Sequence, residues 1–220
     1  MVNQDVSLDA PEGTRPLMRG WFHGAGTVAL LIALPFLVAR AHTWAQLGWT
    51  LCYFVGVIAM MGTSGAFHLI NHPPKRRRLL RRLDHTTIFL AIAGSYFAII
   101  GLTMHGAIRL VLLVVISVGS AVGIAVRQIA HDAPKWAKTI PYLIVGWAAI
   151  TVIPQIARGG GVACVVWVLV GGLAYSVGAV FYGAKKPRLN PRVFGYHELF
   201  HALTLVGAGA HLVAIWLALR

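Results

Sequence analysis

Two histidines four residues apart, His197 and His201, open the last long apolar stretch of this 220-residue chain, in the run Gly195-Tyr196-His197-Glu198-Leu199-Phe200-His201. On a helix that spacing puts both imidazoles on one face, a turn apart, where they can grip one metal ion. Two other residues belong with them by depth, His68 near the end of an earlier apolar stretch and Asp84 at the start of the next, with Ser64 one turn deeper than His68. Three neutral imidazoles with a fourth position open is a pattern of catalytic zinc. Iron, copper and nickel accept the same donors, but the set suits zinc best. A neighbouring carboxylate can hold a water for the metal and take its proton, the role that fits Asp84. Ser64, one turn from His68 on the same helix face, can donate a hydrogen bond to that water or to a developing oxyanion.

These residues must be positioned by a membrane. The chain is 58% hydrophobic and 11% charged, where soluble domains carry about 25% charged residues. The composition predicts an all-α integral membrane protein, a seven-helix transmembrane bundle. Its spans fall at about Trp21–Ala39, Gln46–Ile70, Thr86–Met104, Leu110–Val126, Thr139–Ile156, Val162–Gly183 and Tyr196–Leu219. Each is near the ~20 residues that cross a hydrocarbon core of ~30 Å. Residues 1–20 form a polar tail with Asp5, Asp9 and Glu12, unlike a cleaved signal peptide. Residues 21–220 form the transmembrane domain, and the first span serves as the insertion signal. Pro35, Pro141 and Pro154 are breakers that membrane helices tolerate when neighbours satisfy the freed carbonyls. Gly119-Ser120-Ala121-Val122-Gly123 reads as a helix-packing face, and Cys52 and Cys164 as small apolar fillers.

The net charge of +13 would point to nucleic acid in a soluble protein. Its distribution points to topology instead, with no nucleic-acid partner. Fifteen of the nineteen lysines and arginines fall on the side that holds the N-terminus, with a cluster from Lys75 to Arg82 between spans two and three. Arg40, Arg109, Arg158 and Arg220 fall on the other side. The positive-inside rule then puts the N-terminus in the cytoplasm and the C-terminus outside, with the basic cluster at anionic lipid headgroups. The chain belongs in a plasma membrane, the inner membrane of a bacterial host, with membrane lipids as its partners. Small-residue faces leave the oligomeric state open.

Topology also sorts the ionisable groups. His68 ends span two at the cytoplasmic face, where Asp84 enters span three and His197 enters span seven. His201 lies one turn of ~5.4 Å deeper. All four therefore share one shallow slab. His23, His42, His72, His105 and His131 read as single hydrogen-bonded or headgroup-facing histidines. His85 points ~100° away from Asp84. His211, ten residues beyond His201, is too deep to share its metal and suits an interhelical hydrogen bond. His197-Glu198-Leu199-Phe200-His201 also matches the H-E-x-x-H pattern of zinc proteases, whose glutamate is the general base. A membrane protease of that type needs a further acidic ligand on a later span, and nothing acidic follows Glu198.

Several runs together resemble the haemolysin III family. They are Ser64-Gly65-Ala66-Phe67-His68, Arg82-Leu83-Asp84-His85 with Ile92-Ala93-Gly94, Gly146-Trp147, the run from Gly171 to Tyr182, and His197-Glu198-Leu199-Phe200-His201. That family is similar to the adiponectin and progestin receptors and, more distantly, to alkaline ceramidases. The resemblance runs from about Gly20 to Leu219, in order, and implies a seven-helix, N-inside protein. It implies that His68, His197 and His201 bind zinc, that Asp84 reaches the metal through water, and that Ser64 stands behind them. The chain departs where the family usually has Thr-Tyr-Thr-Pro: here the residues are Ser95-Tyr96-Phe97-Ala98, so span three loses a proline and should straighten. Three functions follow as expectations. One is a zinc-dependent hydrolase of a lipid amide or ester. Another is a zinc-stapled sensor or homeostasis protein without turnover. The third is the cytolysis of the family name, which seven apolar spans make awkward for a secreted pore-former.

Overall fold

The computed structural model describes residues 16–129, 135–187, 189–190 and 192–220, and is all-helical but for one isolated bridge, Asn190 with Phe194. Asp5, Asp9, Glu12 and Arg15 of the polar tail, together with His131, Asp132 and Arg188, lie outside the described residues. The helices are α1 (Trp21–Arg40), α2 (Trp44–Leu69), α3 (Pro74–Thr103), α4 (Gly106–Ile129), α5 (Lys135–Trp147), α6 (Ile153–Gly160), α7 (Val162–Ala184) and α8 (Tyr196–Ala218). A 3₁₀ turn, Ala148–Val152, joins α5 to α6. Among the described residues, seven helical segments are long and apolar enough to cross a membrane, with Thr139–Gly160 counted as one. This is a seven-span transmembrane bundle, because only helices satisfy their own backbone groups in hydrocarbon without a closed barrel.

Lipid-facing and protein-facing sides are both legible. On α4, Val111, Val114, Val115, Val118 and Val122 are all exposed and recur at helical spacing. That stripe faces the acyl chains. The interior is built from Tyr53, Phe54, Met61, Ile100 and Ile215. Packing is tightest where glycines let backbones approach. A Cβ on Gly56 would strike the Leu90 carbonyl, and one on Gly94 the Cys52 carbonyl, so α2 and α3 cross in near backbone contact. Gly123 lies against the Phe89 ring and Gly119 faces Val145, which makes that small-residue face a helix-packing surface. Cys52 and Cys164 are free thiols, the first half-buried and the second buried.

Two elements differ from the sequence reading. Span three begins at Pro74, not Thr86, so Lys75 to Arg82 ride on the first turns of a helix instead of a loop. Proline at a helix start is favoured because its missing N–H is not needed there, and a run of arginines and leucines is a good helix former. α3 then continues unbroken past Ala98, as the absent proline allows. Span five, in contrast, is broken. Pro154 cannot supply an N–H to the preceding turn, and the chain tightens into the 3₁₀ turn before α6 restarts. Tyr96 of α3 repairs the break: its hydroxyl donates to the Gly146 carbonyl at 2.7 Å and accepts from the Ala149 N–H at 2.6 Å. The Trp147 indole N–H adds a bond to the Ser176 hydroxyl of α7, at 2.8 Å.

Candidate metal centre

The site lies at the end of the bundle where α1 begins, α2 ends, α3 passes and α8 begins. The start of α8 is shaped by its own glutamate. Glu198, 1% exposed, reaches back to accept the Gly195 N–H at 2.8 Å, as an acidic residue in a first turn commonly does. Its other oxygen pairs with the Arg19 guanidinium, just ahead of α1. The chain before α1 is laced to the chain before α8 as well, with Leu17 N–H to the Arg192 carbonyl at 3.0 Å and Met18 N–H to the Val193 carbonyl at 3.2 Å. Gly20 closes the corner. Its φ of +86° suits glycine, and a Cβ there would lie 2.8 Å from the Cβ of His68.

Within this frame His68, His197 and His201 converge. One ring nitrogen from each lies within 4.8 Å of the others, a grouping that could hold a metal ion. The ring centroids are 4.5 Å apart for His197 and His201, 4.9 Å for His68 and His197, and 5.3 Å for His68 and His201. His68 and His201 are buried and His197 is half-buried. The Nδ1 of His201 has no hydrogen-bond partner among the described residues, as a donor atom kept for a cation would. The donor set is all imidazole, so the residues fit a borderline-soft divalent ion.

The carboxylate is beside them. An Asp84 oxygen lies 3.8 Å from the His68 Nε2. The Ser64 hydroxyl faces the Asp84 carboxylate, and Arg127 at the end of α4 lends it positive potential. Tyr182 packs edge-on to His197, with centroids 5.5 Å apart. All five site residues expected from the sequence therefore meet in one place. Of the remaining histidines, His72 bonds the Ala66 carbonyl at 2.9 Å, while His42 and His105 are exposed. His211 bonds the Val168 carbonyl of α7 at 3.3 Å, the interhelical bond expected of it.

Sequence reasoning missed His23. It is 3% exposed and stacks on His201 with centroids 3.9 Å apart and planes within 2°. The signal was available in principle: span one starts at the same face as span seven, and His23 enters it at the depth of His197. The pairing of Arg19 with Glu198, 179 residues apart, has no local sequence signature.

The molecule is thus a multi-span membrane protein with three convergent histidines and an adjacent carboxylate at one end of its bundle. The particular family follows from the chain as a whole. Its residues 12–212 match the family described as Haemolysin-III related, and the chain belongs to that family. It is 31% identical over 193 residues to Hemolysin-3 of Bacillus cereus, covering 84% of this chain and 83% of that protein. It is 27% identical over 192 residues to the Hemolysin-3 homolog of Bacillus subtilis (strain 168), covering 86% of each. The adiponectin receptor protein of Drosophila melanogaster is 26% identical over 217 residues, which span 87% of this chain and 48% of that receptor.

Proposed function

We propose that the protein is a zinc-dependent hydrolase of a lipid amide or ester, working at the cytoplasmic face of a plasma membrane. The observation that carries this reading is the meeting of three imidazole donors with one carboxylate, 3.8 Å from His68, at one end of the bundle. His68, His197 and His201 would hold the ion. A bound zinc would supply Lewis acidity toward a carbonyl oxygen and toward water. Asp84 accepts the proton of the attacking water and returns it to the departing nitrogen or oxygen as the acyl C–N or C–O bond breaks. Ser64 donates its hydroxyl to the Asp84 carboxylate and keeps it oriented. The exposed cations of the first turns of α3 hold this end at anionic headgroups, with the N-terminus inside.

Glu198 has other work. With one oxygen on Arg19 and the other on Gly195, it is a helix-end and interhelix tie, not the general base of a zinc protease.

The test is metal content together with fatty-acid release from lipid amides and esters in reconstituted vesicles. The wild type should carry about one zinc per chain and release fatty acid. Asp84→Asn should retain zinc and lose roughly 10²- to 10⁴-fold in rate, the worth of a positioned proton carrier. Unchanged release in Asp84→Asn would remove Asp84 from the mechanism. One observation favours a second reading, a metal staple: among the described residues α2 and α8 pack chiefly on other helices, tied at mid-bundle by the Tyr53 hydroxyl to the Ala208 carbonyl at 2.6 Å. Zinc without turnover on any lipid amide or ester, with a lower melting temperature in His197→Ala, would support the staple instead.

A further inference from the structure

His23 touches the metal centre without belonging to its donor set. His72 and His211 each use a ring nitrogen on a backbone carbonyl. His23 does not: neither of its nitrogens has a hydrogen-bond partner among the described residues, although the side chain is buried. What it presents to its surroundings is the face of its ring, laid flat on His201. His197, His68 and Phe200 meet the same ring at an angle, at 4.5, 5.3 and 5.6 Å between centroids, so His23 is its one parallel partner among the described residues.

The backbone holds His23 there from three directions. Gly24 and Gly65 bring α1 and α2 together, since a Cβ on Gly65 would lie 3.3 Å from the Gly24 nitrogen. Gly20 abuts His68, and Arg19 grips Glu198 on α8. α1 cannot draw the ring away without parting from both ligand-bearing helices. The stack also has an electronic preference. Two identical neutral rings gain little from lying face to face, because their π faces repel. A ring whose electron density is drawn toward a cation at its nitrogen is a better partner for an electron-rich face. Metal binding at His201 and stacking on His23 therefore reinforce one another.

We infer that His23 is a positioning residue of the metal centre: through its ring face it holds the His201 imidazole in the plane from which it can share one ion with His68 and His197. The inference rests on the reading of those three histidines as metal ligands. Its consequence is that α1, which supplies no ligand, sets the affinity of the site.

Cobalt(II) titration of the purified protein in detergent, followed by its visible bands, separates the possibilities. The wild type should bind about one Co²⁺ per chain, and His201→Ala should lose it. His23→Ala should bind roughly tenfold to a hundredfold more weakly, the loss typical when a group supporting a ligand is removed, with shifted bands. His23→Phe, which keeps a flat ring and no nitrogen, should restore most of the affinity. Should His23→Ala fail to fold, His23→Leu against His23→Phe makes the same comparison of ring with no ring. Equal affinities and bands in wild type and the ringless variant would overturn the inference while leaving the metal site intact. Rescue by His23→Gln but not by Phe would overturn it in favour of hydrogen bonding. Loss of one nitrogen donor from the X-ray absorption of the ringless variant would make His23 a ligand. No cobalt uptake by the wild type would instead remove the metal reading on which the inference stands.

Discussion

The two ends of the bundle solve one physical problem in opposite ways. Each must place polar side chains where helices leave the membrane. At the end away from the site, cations attend to helix ends and ring faces. Arg40 donates to the Trp216 carbonyl at 3.3 Å and lies over that indole, 4.5 Å from its centre. Arg220 donates to the Gly160 carbonyl at 3.0 Å, and Arg109 lies over Trp49. These contacts satisfy carbonyls that a helix terminus leaves open. At the site end, the ring nitrogens of three histidines converge on one another, with an aspartate alongside and a fourth imidazole stacked behind. The first pattern closes off helices; the second assembles a place for a cation. Convergence of donors, more than the presence of polar groups, distinguishes the end that could hold a metal ion.

Substitutions at the two ends should have unequal effects. The largest effect should come from His201→Ala, which removes a donor from the buried side of the cluster. Zinc content measured on the purified protein should fall from about one per chain to near zero, more than the ~100-fold loss that supporting groups can cause. Retained zinc would show that the donors lie elsewhere. Next comes Glu198→Ala, which strands the Arg19 guanidinium. Loss of one partner from such a pair should cost roughly 3 kcal/mol, read as a lower unfolding midpoint in detergent with zinc still bound. If zinc left while the midpoint held, Glu198 would belong to the metal centre after all.

Smaller changes test the scaffold. Tyr96→Phe removes the hydroxyl that spans the break in span five and leaves the Gly146 carbonyl and Ala149 N–H to find other partners. That should lower stability by about 1–3 kcal/mol and leave zinc content unchanged. Arg40→Ala at the far end should do least, under about 1 kcal/mol, again with no change in metal. A far-end substitution that emptied the site would erase the distinction between the two ends.

Much of this architecture is legible in the amino-acid sequence. The apolar runs place the seven spans to within a few residues at most ends, because hydrocarbon thickness sets their length. Counting charges places His68, Asp84, His197 and His201 at a common depth, and the fold brings their side chains together. The less legible features share one cause: each depends on a partner distant in sequence. The extra turns at the start of α3 are hidden because arginine-rich helix and arginine-rich loop have one composition. The break in span five is hinted at by Pro154, but its stitching by Tyr96 needs α3 alongside. His23 looks like an ordinary interfacial histidine because stacking has no periodicity to read.

The opening pair, His197 and His201, shows where the division falls. Their spacing, and the apolar run behind them, make them neighbours on one face of a membrane helix, since helical pitch and the need to satisfy backbone groups in lipid act locally. Which of the intervening and distant groups would join them was settled by tertiary packing. The crossing of α1, α2, α3 and α8 brought His68, Asp84 and His23 to the pair and turned Glu198 away to Arg19. Chain order carries the donors and their depth. Only tertiary packing, with glycines bringing α1, α2 and α3 close and the Arg19–Glu198 pair tying the start of α1 to α8, decides which donors meet.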